Sequence, residues 1–200
     1  MEKRAESQEE GNSLLARVRR GDRIALGQLF ALAYDKLREV ARVQRRRQPS
    51  PETLTTTALV HEAFIRLFGS ETRDFNDRAH FMAVAATAMR QILIGAARRN
   101  NAAKRGGGTA TASFDEVEYA LRDPVGSAAP KADALLALDR ALERLHQHSA
   151  RQSRIVECRF FGGMSIEETA AAIGVSVATV KRDWSMARAW LHREIEVELG

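Results

Sequence analysis

The sequence predicts an all-α protein, and three observations predict it. The 200 residues include only 13 Gly and 4 Pro, too few turn formers for a many-stranded β fold. Alanine, leucine, glutamate and arginine, all strong helix formers, dominate the chain. Apolar residues recur at helical rather than alternating spacing through most of its length. An apolar content of 44% is enough for a true core and excludes wholesale disorder.

The elements follow in order. Leu14, Leu15 and Val18 keep helical spacing until Gly21 interrupts them. Asp22 is placed to cap a second helix that buries Ile24, Leu26, Leu29, Phe30, Leu37 and Val40. Residues 48–53 contain two prolines two apart and form a turn. A third helix covers 56–68, with Leu59, Val60, Phe64, Leu67 and Phe68 on one stripe. A long alanine-rich helix runs from Asp77 to about Ala103, with Phe81, Val84, Ala88 and Ile92 inward and Arg90, Arg98 and Arg99 outward. Gly106, Gly107 and Gly108 stop it. Residues 106–130, with Gly, Thr, Ser and two Pro, read as a flexible linker, although Phe114 to Leu121 is amphipathic enough to dock. A second helical unit follows. Leu135, Leu138, Leu142 and Leu145 make its first stripe, Ile155, Val156, Phe160 and Phe161 extend its core, and Gly162-Gly163 turns the chain.

Charge is distributed unevenly. Residues 1–105 carry 20 Lys and Arg against 12 Asp and Glu, whereas residues 131–200 carry ten of each. Clusters at 45–47, 98–99 and 104–105 suit a polyanion, because each phosphate contact releases condensed counterions. A plainly solvated basic face would look the same. The first twenty residues are charged and lack the apolar stretch of a secretory signal, and no run approaches the length needed to span a membrane. A cytoplasmic protein is expected, with no membrane contact.

Enzyme chemistry finds little support. His61-Glu62 opens a zinc-protease pattern that would need histidine at position 65, where Ile65 stands. Cys158 is the single cysteine, and His80, His146, His148 and His192 have no ligand spacing with it. No phosphate-binding glycine motif occurs, so neither metal nor cofactor is expected.

The most informative stretch is Ser165 to Leu191. Ser165 and Glu168 form a capping box. Ala170 is small enough for two helices to cross, and Gly174 supplies a positive φ for a tight turn. Ile173 and Val175 pack beside that turn, and Ser176 caps a second helix whose inner side is Val180, Trp184 and Ala187. This is the pattern of a helix-turn-helix, whose second helix enters the major groove. Its outward residues are Ala178, Thr179, Lys181, Arg182, Ser185 and Arg188, with Ser176 at the helix start. An ordinary helical hairpin is the plainer alternative.

Over residues 13–195 the chain resembles the extracytoplasmic-function (ECF) group of bacterial sigma factors, the initiation subunits of RNA polymerase. Four segments carry the resemblance: Leu14 to Phe30 to the opening helices, Ala58 to Phe68 to region 2.2, His80 to Gly107 to regions 2.3 and 2.4, and Gly162 to Leu191 to region 4.2. The resemblance implies a region 2 domain at 12–105, a linker at 106–130 and a region 4 domain at 131–197. Region 2 would hold the promoter −10 element, with His80, Phe81, Arg90, Arg98, Arg99, Lys104 and Arg105 on its DNA side. Region 4 would read the −35 element through the helix just described. Both would grip core RNA polymerase, at its clamp helices and flap.

The chain departs from the family where region 2.2 normally begins with an acidic cluster that docks on the clamp helices. Thr55, Thr56, Thr57 and Ala58 occupy those positions, His61 stands in place of glutamine, and only Glu62 keeps its charge. The polymerase-binding set expected here is these six residues and Arg66. Phosphorylation of Thr57, or else Thr56 or Thr55, would add about −1.5 to −2 charge and restore an acidic face, which implies a Ser/Thr protein kinase as partner. A simple threonine cap explains the same residues without a kinase. Ser50, three residues after Arg47, is a rival site. Gly95 stands where the family often has aspartate. An anti-sigma factor is left unidentified by the sequence. A free-standing helix-turn-helix regulator is the alternative function, although such regulators usually dimerise on palindromes and the basic first half would then go unexplained. A third possibility is an interaction protein that has lost its promoter role.

Overall fold

A computed structural model describes residues 13–18, 20, 22, 24, 25, 27–29, 62, 65, 77–104, 117 and 132–199. Five long or short α-helices are defined in full: α1 (Arg78–Lys104), α2 (Ala132–His148), α3 (Ala150–Val156), α4 (Ile166–Ile173) and α5 (Val177–Leu199). A π-helical stretch, Glu157–Phe161, continues α3. No strand occurs among the described residues, so the all-α expectation holds.

α1 lies at the centre. Asp77 starts it, its carboxylate accepting the backbone N–H of His80 at 2.7 Å. Phe81, Ala88 and Ile92 point inward as expected, and Val84 is only half-buried. The inward surface is far wider than one stripe. Met82, Ala83, Ala85, Ala86, Met89, Leu93, Ile94 and Ala97 are also buried. A helix apolar on most sides belongs inside a protein or a membrane, and Arg78–Arg99 is long and apolar enough for either by composition. Here the surrounding helices cover it. Arg90 departs from expectation: its side chain is 14% exposed and turned into the protein.

The second helical unit matches its predicted stripes. Leu135, Leu138, Leu142 and Leu145 are buried, as are Ile155, Val156, Phe160 and Phe161. Ser149 caps α3 by accepting the Gln152 N–H at 3.3 Å. The π stretch closes with Gly162 N–H donating to the Glu157 carbonyl at 3.1 Å, and Gly163 turns the chain at φ 59°. Ile155, Val180, Ala187, Leu191 and Ile195 then join α3 and α5 in a core continuous with that around α1.

Near the N-terminus, Leu14 and Leu15 are buried and Val18 packs beside them. Asp22 caps the following helical residues, accepting the N–H groups of Ile24 at 2.9 Å and Ala25 at 3.1 Å. The cap fixes the helical phase so that Ala25 and Leu29, four apart, face the core. Ile24, expected inside, is consequently 72% exposed. Val117, within the segment expected to link the units and inside its amphipathic patch, is helical and buried in the same core. The predicted turn at 48–53, most of the third helix and Leu26, Phe30, Leu37 and Val40 lie outside the described residues, but Glu62 and Ile65 of that helix are helical.

Candidate nucleic-acid interface

Two surfaces were expected to meet DNA, and the structure treats them differently. The first is the outer face of α5. Ser165 opens the preceding helix α4 with a complete capping box: its hydroxyl accepts the Glu168 N–H at 3.1 Å, and the Glu168 carboxylate accepts the Ser165 N–H at 2.7 Å. Thr169, fully buried, returns its hydroxyl to the Ser165 carbonyl at 2.7 Å. Gly174 ends α4 at φ 73°, and its N–H and that of Val175 both donate to the Ala170 carbonyl. That left-handed turn swings the chain so that α5 begins immediately.

Ser176 caps α5, its hydroxyl accepting the Thr179 N–H at 3.1 Å and lying 2.8 Å from the Thr179 hydroxyl. Val180, Trp184, Ala187, Leu191 and Ile195 form the inner stripe. The opposite face carries Ala178, Lys181, Arg182 and Ser185, all exposed, with Thr179 and Arg188 half-buried at its margins. Sequence periodicity thus brings six predicted residues and the capping serine to one end and one face of a single helix.

Two side chains that the sequence reading passed over fix this helix. Asp183, with a side chain 2% exposed, accepts a 2.6 Å hydrogen bond from Nε of Arg151 on α3. The Arg159 guanidinium lies 4.9 Å from the centre of the Trp184 ring, a cation–π contact. Both attach α5 to the preceding elements without using its outer face.

The second surface is on α1. Arg98 and Arg99 are exposed, His80 is half-buried, and Phe81 is 1% exposed with its ring in the core. Phe81 therefore offers no open face for base stacking in this arrangement. Arg90 is half-buried and turned into the protein rather than out to solvent. Its Nε donates to Asp139 Oδ1 at 2.8 Å, its Nη2 to the Asp139 carbonyl at 3.1 Å, and its Nη1 to Glu157 Oε1 at 2.6 Å. Burial works against the charge on Arg90, but the hydrogen bonds to Glu157 and Asp139 outweigh it and raise its pKa above the ordinary arginine value. The guanidinium stays charged at any physiological pH.

This cluster extends along α1. Thr87 donates its hydroxyl to Glu157 Oε2 at 3.2 Å, Arg98 Nη2 reaches Asp139 Oδ2 at 3.4 Å, and the Asn101 amide bonds the Asp133 carboxylate. Asp139 was not singled out in the sequence. The available signal was its position four residues after Leu135, which puts a carboxylate on the inner side of an apolar stripe.

Lys104 and Arg105, and from the polymerase-binding set Thr55, Thr56, Thr57, Ala58, His61 and Arg66, lie outside the residues whose side chains are described. Glu62 is helical and half-buried. Among the described residues, no group of three His, Cys, Asp or Glu is arranged to hold a metal ion.

Comparison with known proteins adds one finding. A family model described as ECF sigma factor matches residues 8–197. No curated protein and no solved structure gives a significant match.

Proposed function

The chain belongs to the ECF sigma factor family, and from that premise we propose a specific division of labour for its residues. Members of this family are non-catalytic subunits that direct transcription initiation by RNA polymerase. The reading assigns residues 12–105 to the −10 element and core polymerase, and residues 131–197 to the −35 element. The single observation that carries it is a family match running through both helical units rather than through the α4–α5 pair alone. A free-standing regulator would need only that pair.

On this reading α5 enters the major groove of the −35 element. Ser176, Ala178 and Thr179 at its start approach the bases, with Lys181, Arg182, Ser185 and Arg188 along its outer face. Exposed Lys181 and Arg182 supply phosphate contacts that set register. Arg98, Arg99, Lys104 and Arg105 supply the cationic track for the −10 strand.

Polymerase docking uses Glu62 and the Thr55–Thr57 stretch. The three hydroxyls replace carboxylates that the resemblance calls for, so phosphorylation by a Ser/Thr kinase, first at Thr57, is the proposed activating event. An added phosphate in the first turn of a helix is favoured by the helix dipole. The test is transcription by core RNA polymerase on a promoter identified by sequencing transcripts after overexpression. Activity from Thr57→Glu and not from wild type supports both sigma function and charge control. Equal activity removes the kinase and keeps the sigma role. Silence from both, with DNA binding intact, overturns the sigma role.

A further inference from the structure

Asp183 carries the wrong charge for a helix that enters DNA. A helix about 10–12 Å across fills a major groove about 12 Å wide, so each flank of α5 would meet a wall of phosphates. By helical rotation Lys181 and Arg188 lie about 60–80° to one side of the inner stripe, and Asp183 lies about 80° to the other. One flank thus carries cations and the other a carboxylate. A bare carboxylate at that position would repel the phosphate wall.

Arg151 covers it. The Arg151 Nε, reaching across from α3, donates to Asp183 Oδ2 at 2.6 Å; the Asp183 side chain is 2% exposed and that of Arg151 50%. Only Nε is committed, and the terminal nitrogens of Arg151 donate to no other described residue. Arg182 stands at the other carboxylate oxygen, its Nε 3.7 Å from Oδ1 and its side chain 67% exposed. One buried carboxylate therefore lies behind two guanidiniums from two helices, and their exposed ends make the flank positive. Arg154, one turn along α3 from Arg151, is exposed as well.

We propose that Arg151 is a DNA-binding residue: it contacts a backbone phosphate of the duplex held by α5, beside Arg182, and Asp183 is the positioning residue that holds it there. The ligand is the phosphodiester rather than a base, because Arg151 stands on the flank of α5 and not on its outward face. A guanidinium already fixed through Nε loses less freedom when it meets phosphate. The DNA surface then spans α3 and α5 rather than α5 alone. The inference rests on the proposed entry of α5 into the major groove and is independent of polymerase binding.

The full chain, with and without core RNA polymerase, selects a duplex from a randomised library, and affinity for that duplex is measured against salt. Arg151→Gln removes the charge but keeps an amide that can donate to Asp183. It should weaken binding and reduce the slope of log affinity against log salt by about 0.9. Arg151→Lys keeps the charge and should retain the wild-type slope. In an Asp183→Asn background Arg151→Gln should cost the same slope, about 0.9, but less affinity, because a guanidinium that is not held in place must be ordered on binding. Arg193→Ala, exposed about 15 Å farther along α5, controls for net charge and should leave the slope unchanged. A wild-type slope in folded Arg151→Gln overturns the phosphate contact and leaves Arg151 a tether for α5. So does a slope loss that vanishes in the Asp183→Asn background, or one that Arg193→Ala reproduces. The double variant buries no unpaired charge, so its slope settles the contact even if Arg151→Gln alone fails to fold. Equal affinity costs in the two backgrounds overturn the positioning role of Asp183. Duplex binding by a chain that forms no polymerase complex on sedimentation overturns the sigma reading, while the Arg151 contact stands or falls on its slope. No selected duplex in either condition overturns the entry of α5 into the groove and the contact with it.

Discussion

Gly162 sits so close to Ala86 that a β-carbon built on the glycine would lie 2.8 Å from the alanine's own, and 2.6 Å from the Cys158 carbonyl oxygen. Neither neighbour can yield easily. One is on the central helix and the other is a backbone atom of the π-helical stretch. The π turn carries the chain to this point of contact, and a residue without a side chain lets it arrive. Gly162→Ala should therefore lower stability by about 1–3 kcal/mol through overpacking. Chemical denaturation would show it as a reduced midpoint at unchanged slope.

Gly95 is the opposite case. It lies in the interior of α1, and the nearest atom to an added β-carbon is Arg99 Nη1 at 3.6 Å, an ordinary contact with the end of a flexible side chain. No close approach of another helix requires the glycine. Gly95→Ala should stabilise the protein by about 0.5–1 kcal/mol, through helix propensity and a less disordered unfolded chain. An unchanged or lowered thermal midpoint would count against this account.

Cys158 gives a pH dependence. Its burial pushes the thiol up to about 12, well above the ordinary cysteine range. The folded state thus holds the proton more tightly than the unfolded state. The associated stability is complete below about pH 9 and is lost as pH rises toward 12. Relative to Cys158→Ala, the wild-type unfolding free energy should fall by about 1.4 kcal/mol per pH unit in that window. At pH 8 a thiol reagent should leave the native chain unmodified and react fully once guanidinium unfolds it.

What could be read from sequence was what depends on near neighbours. The capping box of Ser165 and Glu168, the left-handed Gly174 and the inner stripe of α5 are all set within a few residues, and the structure contains each of them. Ile24 shows the limit of that approach. Its apolarity suggested burial, but the Asp22 cap fixes a phase that turns it outward. Arg90 shows a different limit. Its partners lie 49 and 67 residues away, so nothing local separates it from Arg98 and Arg99, which do reach the surface. A charged residue on an otherwise apolar helix face is read as the solvent side unless a counter-charge from elsewhere is known.

Neighbouring residues on α5 should fail in different ways. Lys181 and Arg182 are exposed, and the contact from Arg182 to Asp183 is long at 3.7 Å. Lys181→Ala or Arg182→Ala should leave the thermal midpoint within experimental scatter. Each should weaken binding to promoter DNA and reduce the slope of log affinity against log salt by about 0.9, the signature of one lost phosphate contact. Asp183 carries its charge inward to Arg151 at 2.6 Å. Arg151 is half exposed, which moderates the energy of the pair, so Asp183→Asn should cost about 1–2 kcal/mol of stability. Its salt slope should match the wild type, because no phosphate contact is removed. A changed slope for Asp183→Asn at unchanged stability would place that side chain in the DNA contact rather than behind it, and would require a different orientation of α5 in the groove.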